Sequence, residues 1–287
     1  MTDQRQSIAA WLDLPAQAAD VDPVRAQTAK VLLRALRTKD AAEAAQKLHN
    51  LVELDISRDP WSSSGPAMSF GFLPLLPKLR SLKADHQRVP GDAEAAPLWS
   101  HPWTLLSLRL FTGAVVPVTA LVRHSCATLQ AMDLGGCSLD APVDLAALKH
   151  LKSLALPKTG LKEAGFVEGM PDLESLDLSE NNLSRMPPLG HCQRLRFLKL
   201  NRNALADLGF AAALRSLRTL EVAENALTDL TPLAGLRDLQ TLRFARNSVR
   251  TVKPLRDLDG LETVALGMNP IAEDEIDEFL RRRVRIE

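Results

Sequence analysis

The segment LRTLEVAENALTDLTPLAGLRD, residues 217–238, sets apolar residues at regular intervals and then interrupts them with an asparagine. Leu220 and Val222 are two residues apart, so in a strand their side chains point to one face. We predict that this face is buried and that Leu227 closes the same core. Asn225 then turns the chain out of the strand. An asparagine amide can hydrogen-bond neighbouring backbone groups, which makes a polar residue tolerable there.

The same pattern recurs along most of the chain. Ten units begin at Leu51, Leu79, Leu105, Leu129, Leu151, Leu173, Leu195, Leu217, Leu239 and Leu261. Successive starts are 28, 26 and 24 residues apart, and every later step is 22 residues. The asparagine position is filled by Asn181, Asn203, Asn225, Asn247 and Asn269 in the last five units and by Asp59, Gln87, Gly113, Cys137 and Thr159 in the first five. These residues predict an asparagine ladder in the C-terminal half and a less regular N-terminal half.

The motif L-x-x-L-x-L-x-x-N-x-L resembles the leucine-rich repeat family. The second half of each unit, such as Leu230-x-Pro232-Leu233, is similar to the short repeats of internalins and of the leucine-rich regulatory subunit of a protein phosphatase. The resemblance implies an α/β fold, a leucine-rich repeat solenoid shaped as a horseshoe or shallow arc. Its parallel β-sheet would line the concave face, with 3₁₀ or irregular turns on the convex face.

A solenoid exposes its core at both ends and needs caps. We predict a helical N-terminal cap over residues 1–50, ten leucine-rich repeats over 51–271 and a helical C-terminal cap over 272–287. Pro23 suits the first position of a helix, and Asp40 with Glu43 is typical of a helix start. The arginines at 281–283 suit the end of the last helix. A nucleic-acid patch is the alternative for them.

The overall composition narrows the class of protein. The chain has 35 basic and 35 acidic residues and a formal net charge of zero, which argues against binding to nucleic acid or to a membrane surface. No run of 18 apolar residues predicts a membrane-spanning helix, and the N-terminus lacks the features of a secretory signal. Three cysteines do not form a disulfide framework. We expect a cytoplasmic monomer without a cofactor; secretion by a route that needs no classical signal is the alternative.

Few residues suggest chemistry. The sequence contains neither a phosphate-binding glycine loop nor a zinc-binding H-E-x-x-H, so we predict no catalytic residue and no metal site. Cys192 occupies a core position of its repeat. A cysteine-dependent enzyme using Cys126 and His124 is an alternative, because a thiol needs a nearby base to act as a nucleophile.

In the family that this chain resembles, the concave strand surface is the usual binding face. The predicted partner-binding residues are Lys83, Arg109, Phe111, Asp177, Phe197, Lys199, Arg202, Glu221, Glu224, Arg243 and Arg246. Acidic and basic pairs alternate over units six to nine, so two interpretations stand: a structural ladder of cross-strand ion pairs, or a mixed-charge site for a partner.

Three tryptophans lie in the long connections of the first units. Trp61 falls on a core position, whereas Trp99 and Trp103 are compatible with either a buried or an exposed place. The function that follows is a non-catalytic, scaffold-like module binding a protein partner of unknown identity. A secreted bacterial effector that binds host proteins is the alternative.

Overall fold

The repeated Leu-x-Leu pairs form short parallel strands in the computed structural model. It describes residues 2–13, 23–58, 67–89, 91–109, 115–281 and 284–286, without the side chains of 2–5, 7, 92 and 278–281. The chain divides into two compact units, Met1–Ala141 and Pro142–Glu287. Phe111 and Trp61 lie outside the described residues.

The first unit begins with three helices, α1 (Thr2–Leu12), α2 (Pro23–Ala35) and α3 (Ala41–His49). The predicted start of α3 is confirmed, because the Asp40 carboxylate accepts hydrogen bonds from the N–H groups of Ala42 and Glu43. Four strands follow and pair in order as parallel neighbours: β1 (Glu53–Asp55), β2 (Ser81–Lys83), β3 (Leu105–Ser107) and β4 (Ala131–Asp133).

In the longer units of this region, α-helices as well as turns connect one strand to the next. Helix α4 (Asp92–Trp99) and helix α5 (Val118–Ser125) lie between β2 and β4, and a 3₁₀ turn covers Leu73–Leu75. In the longer units the predicted 3₁₀ turn is therefore joined by the short helices α4 and α5, which use the extra residues. Trp99 and Trp103 are both buried. The indole N–H of Trp103 donates to the Leu98 carbonyl at 2.8 Å.

The second unit is regular. Its strands are β5 (Ser153–Ala155), β6 (Ser175–Asp177), β7 (Phe197–Lys199), β8 (Thr219–Glu221), β9 (Thr241–Arg243), β10 (Thr263–Ala265) and β11 (Arg285–Ile286). Each pairs in parallel with the next. The 3₁₀ segments Pro142–Ala147, Gly165–Gly169, Gly209–Ala211, Thr231–Leu233 and Lys253–Leu255 carry the chain back between strands, as predicted. Helix α6 (Glu273–Arg281) precedes β11.

The core of this unit consists of leucine columns. Leu176, Leu198, Leu220 and Leu242 pair in register at the centre of successive strands and are fully buried. At roughly 25 cal/mol per Å² of apolar surface, burial of each leucine contributes about 2 kcal/mol. Because a rung is only one strand and one turn, each rung needs its neighbours to bury both sides.

The predicted asparagine ladder is confirmed. The Asn225 amide donates to the carbonyls of Leu200 at 2.9 Å and Val222 at 3.1 Å, while its Oδ1 accepts from the Leu205 N–H at 3.0 Å. Each bond to the preceding rung is repeated by Asn181, Asn203, Asn247 and Asn269. In the first unit Cys137 replaces asparagine, and its thiol donates to the Leu108 carbonyl at 2.8 Å. The ladder thus ties each rung to the preceding one through backbone groups.

Within the described residues, every helix is too short or too polar to span a lipid bilayer.

Candidate binding face

The outward side chains of β6 to β9, with the turn residues that follow each strand, form one continuous surface of the second unit. We call it the strand face. Its strand positions are Ser175, Phe197, Thr219, Thr241, Asp177, Lys199, Glu221 and Arg243, and its turn positions are Glu180, Arg202, Glu224 and Arg246. The alternation of strand side chains places these positions on the outer side of the sheet, partly or fully exposed, while the leucines between them are buried. The predicted outward residues of this unit therefore share a face.

The turn positions have an unusual backbone. Glu180, Arg202, Glu224 and Arg246 have φ between 55° and 57°, the left-handed region that non-glycine residues seldom adopt. This conformation directly precedes each ladder asparagine, whose side chain bonds the turn backbone. The turn residues are thereby held in one orientation beside the strands.

Glu221 is the centre of the charge network. Arg243 Nη1 donates to its Oε1 at 3.0 Å, Lys199 Nζ lies 3.8 Å from the same oxygen, and Asn201 donates to Oε2 at 2.9 Å. Only 12% of the Glu221 side chain is exposed. Asn201 also accepts a bond from the Ala223 N–H at 2.8 Å. Sequence reasoning missed Asn201, although its place two residues before a ladder asparagine marks it as a turn residue.

A second row of ion pairs runs along the turns. Glu224 contacts Arg202 Nε at 3.2 Å and Arg246 Nη1 at 3.8 Å, and Arg202 Nη1 lies 3.7 Å from Glu180. The hydrogen bond to Glu224, with the charges of Glu224 and Glu180, raises the pKa of Arg202. The cross-strand ladder proposed from the sequence is therefore present in this unit.

Asp177 has another role than the one that the charge pattern suggests. Its carboxylate accepts the Ser179 N–H at 3.0 Å and so closes the turn after β6. No ion pair between Asp177 and Lys199 is found within the described part of the chain. The alternation of charges on neighbouring rungs thus predicts an ion pair between β6 and β7 that these two residues do not form.

Phe197 is the largest apolar side chain of the strand face. It is 45% exposed and stands at the first position of β7, in register with Ser175 and Thr219. The prediction that it points outward is confirmed.

The candidates in the first unit are less organised. Lys83 is exposed on β2. Arg109 Nε lies 3.4 Å from the Asp133 carboxylate, and the Arg109 N–H donates to Asp85 at 3.0 Å. Because Phe111 lies outside the described residues, the cluster of Lys83, Arg109 and Phe111 stays a prediction.

The cysteines do not assemble a nucleophilic site in the described residues. Cys126 is half-buried at the end of α5, and no hydrogen bond joins its thiol to exposed His124 in that part of the chain. Cys192 is fully buried, as predicted, 3.2 Å from His191 Nε2, and burial raises the pKa of its thiol to about 11. A thiol needs its thiolate form to attack, so Cys192 is unsuited to catalysis near neutral pH. No group of three or more histidine, cysteine or carboxylate side chains suited to a metal occurs in the described chain.

Comparison with known proteins gives the same architecture. The model of the leucine-rich repeat family matches residues 172–192. An internalin (inlF) of Listeria monocytogenes superposes with a TM-score of 0.60 at 16% identity, over 91% of this chain and 87% of the internalin. Internalin C2 of the same organism gives 0.59 at 21% identity, over 84% and 92%. No curated protein matches the sequence significantly.

A plant receptor offers a third comparison. The leucine-rich repeat ectodomain of the receptor kinase GASSHO1/SCHENGEN3 from Arabidopsis thaliana was solved in complex with CASPARIAN STRIP INTEGRITY FACTOR 2. It superposes with a TM-score of 0.59 at 24% identity, over 77% of this chain and 27% of the ectodomain.

Repeated strands, an asparagine ladder and 3₁₀ returns are the features of a leucine-rich repeat solenoid. This chain is therefore a leucine-rich repeat protein. In its fold it is similar to internalins.

Proposed function

We propose that this chain is a non-catalytic interaction module that binds a protein partner through the strand face, which the family resemblance places on the concave side. The observation that carries the proposal is Phe197, a large apolar side chain left 45% exposed among charged and hydroxyl-bearing neighbours. Aromatic and arginine side chains dominate the binding energy of protein interfaces. The strand face combines both.

Rigidity supports this use of the surface. The strand positions are fixed by the backbone ladder, and the turn positions by the asparagines. A surface that is already ordered loses little conformational entropy when a partner binds.

The partner's chemistry follows from how the charges are exposed. Glu221 is 12% and Glu224 35% exposed, whereas Lys199 is 45% and Arg202 and Arg246 are each 57% exposed. The basic ends of the ion pairs therefore project further into solvent than the carboxylates between them. We expect a partner that places an apolar side chain on Phe197 and carboxylates opposite the basic residues.

The comparisons are compatible with this role. The plant ectodomain, which shares the fold, is described in complex with another molecule. The internalins support the fold alone at their level of identity. We further expect a cytoplasmic monomer that does not bind nucleic acid.

A pair of matched variants tests the proposal. Phe197→Ala removes the exposed aromatic of the strand face, and Val143→Ala removes an apolar side chain that is 70% exposed on the 3₁₀ segment 142–147. Proteins captured from native lysate by the unmodified chain are expected to be lost with Phe197→Ala and kept with Val143→Ala. Equal capture by both variants would move the binding site off the strand face.

A further inference from the structure

A second charged surface lies in the first unit, where α2 ends and α3 begins. It surrounds a cavity of about 640 Å³ that is largely open to solvent and is lined by Lys30, Leu33, Arg34, Arg37, Thr38, Lys39 and Glu43. Cavities of several hundred Å³ are the size of small-molecule sites. We name it the basic cavity.

Four of its lining side chains are cations, and none of them makes an ion pair or a side-chain hydrogen bond with the described part of the chain. Lys30, Arg34, Arg37 and Lys39 are all exposed. What distinguishes this place is that four unpaired cations converge on one cavity whose lining contains a single carboxylate.

The single acidic residue of the lining is already engaged. Glu43 lies 2.7 Å from Lys47 Nζ and accepts the Thr38 hydroxyl at 2.6 Å. The hydrogen bond from Lys47 is the main cause of its lowered pKa. The four cations and one carboxylate leave the lining with three net positive charges.

Helix-end stabilisation does not account for this arrangement. Cations are favourable in the last turn of a helix, but in α2 that turn contains only Arg34. Lys30 stands one turn earlier, and like charges four residues apart on a helix repel each other. The pair of Lys30 and Arg34 therefore costs stability in the absence of an anion.

Arg37 adds a second unfavourable feature. The Thr38 N–H bonds the Leu33 carbonyl and the Arg37 N–H bonds the Arg34 carbonyl, both at 3.0 Å, which is the Schellman pattern at a helix end. This pattern places Arg37 at φ 53°, where glycine is the usual residue. Locally unfavourable choices that cluster in one place are typical of functional sites.

We infer that the basic cavity binds a multiply charged oxyanion of the phosphate class. Arginine guanidinium groups match the oxygens of phosphate in pairs, and lysine adds charge at the rim. Free phosphate compounds and phosphorylated lipid headgroups present the same oxygens, so either can be the source.

The test uses the full chain and two probes, inorganic tripolyphosphate in calorimetry and phosphatidylcholine vesicles with and without phosphatidylinositol bisphosphate. Arg34→Ala/Arg37→Ala is compared with Arg218→Ala/Arg250→Ala, which removes the same charge from exposed positions of the second unit. We expect the first double variant to weaken binding at least about tenfold and the second to change it less than about twofold.

Each outcome decides the proposal. Binding of tripolyphosphate that depends on Arg34 and Arg37 supports it with a free phosphate compound as the source. Binding to the phosphoinositide vesicles alone, with the same dependence, supports it with a lipid headgroup as the source. Absence of binding to both probes, or an equal loss in both double variants, overturns it.

Discussion

Arg243 Nη1 donates a 3.0 Å hydrogen bond to Oε1 of Glu221, and both residues stand in register at the last position of neighbouring strands. This geometry means that the pair is set by the backbone register rather than by the reach of flexible side chains. The Asn201 amide donates a hydrogen bond to the other carboxylate oxygen, Oε2. Both carboxylate oxygens of Glu221 therefore accept a hydrogen bond. A charged residue with 12% of its side chain exposed is therefore stable within the strand face.

Reversal of the Glu221 charge is expected to destabilise the fold. In Glu221→Lys a third cation joins Lys199 and Arg243, and the bond from Asn201 loses its acceptor, at a cost of about 1–2 kcal/mol. Glu168→Lys, at an exposed glutamate of the 3₁₀ segment 165–169, is the control. Urea unfolding of both variants checks this expectation. Equal unfolding midpoints would contradict a structural role for the ladder of ion pairs.

Removal of a ladder asparagine is expected to cost more. Asn225→Ala leaves the Leu205 N–H and the carbonyls of Leu200 and Val222 without their side-chain partner, a loss of about 2–4 kcal/mol. Asn182→Ala changes an exposed neighbour of the ladder at Asn181 and should stay within about 0.5 kcal/mol. Thermal unfolding of the two variants is the measurement. The ladder is dispensable if their midpoints coincide.

Much of the regular half was predictable from the sequence, for a physical reason. A repeat of constant length fixes the strand register, so the columns of leucine and asparagine follow once the motif is aligned. Pro232 and Pro254 both lie inside predicted 3₁₀ turns. The outward place of Phe197 and the pairs of Glu221 followed from the alternation of strand side chains.

Other features depend on contacts that no periodicity encodes. The cavity beside α2 is lined by residues of α2, of α3 and of the segment between them, and its cations are scattered over residues 30–39. The bond of Asp177 to the Ser179 N–H competes with the ion pair that charge alternation predicts. The sequence of the longer units is compatible with turns or with helices, and it left open the burial of Trp99 and Trp103 that the structure shows.

The left-handed backbone of the turn residues restricts which side chains these positions tolerate. Met268 has φ 58° and is 74% exposed. Met268→Ile should nevertheless destabilise by about 1–2 kcal/mol, because a β-branched side chain clashes in this conformation. Met268→Asn tolerates the conformation and should be neutral or stabilising. Ala204→Ile, at an exposed position without a positive φ, is the control, and an equal loss at both sites in urea unfolding would contradict the explanation.

The cysteines should differ sharply in reactivity. Burial raises the Cys192 pKa to about 11, so its thiol is protonated at neutral pH and closed to reagents. Iodoacetamide should label half-exposed Cys126 in the native chain and reach Cys192 only on unfolding. Peptide mass analysis with and without urea measures both sites. Native labelling of Cys192 at the rate of Cys126 would contradict the buried position.

Acid should loosen the attachment of α6. Glu275 accepts the Val252 N–H at 2.8 Å and the Thr251 hydroxyl at 2.9 Å, and Lys253 Nζ lies 3.6 Å away. Burial raises the pKa of Glu275, but these partners together hold it below its usual value of 4.5. A lowered folded pKa gives stability that is present above the usual pKa and is lost as the pH falls through the folded value.

Glu275→Gln, which mimics the protonated acid, is therefore expected to lower stability by about 1 kcal/mol at neutral pH. Its difference from the unmodified chain should shrink as the solution is acidified below the pKa of Glu275. Glu273→Gln, at an exposed position of the first turn of α6, is the matched control. Melting temperatures of the three chains across this pH range provide the measurement. A difference for Glu275→Gln that persists unchanged into acid would mean that its carboxylate charge does not anchor the helix.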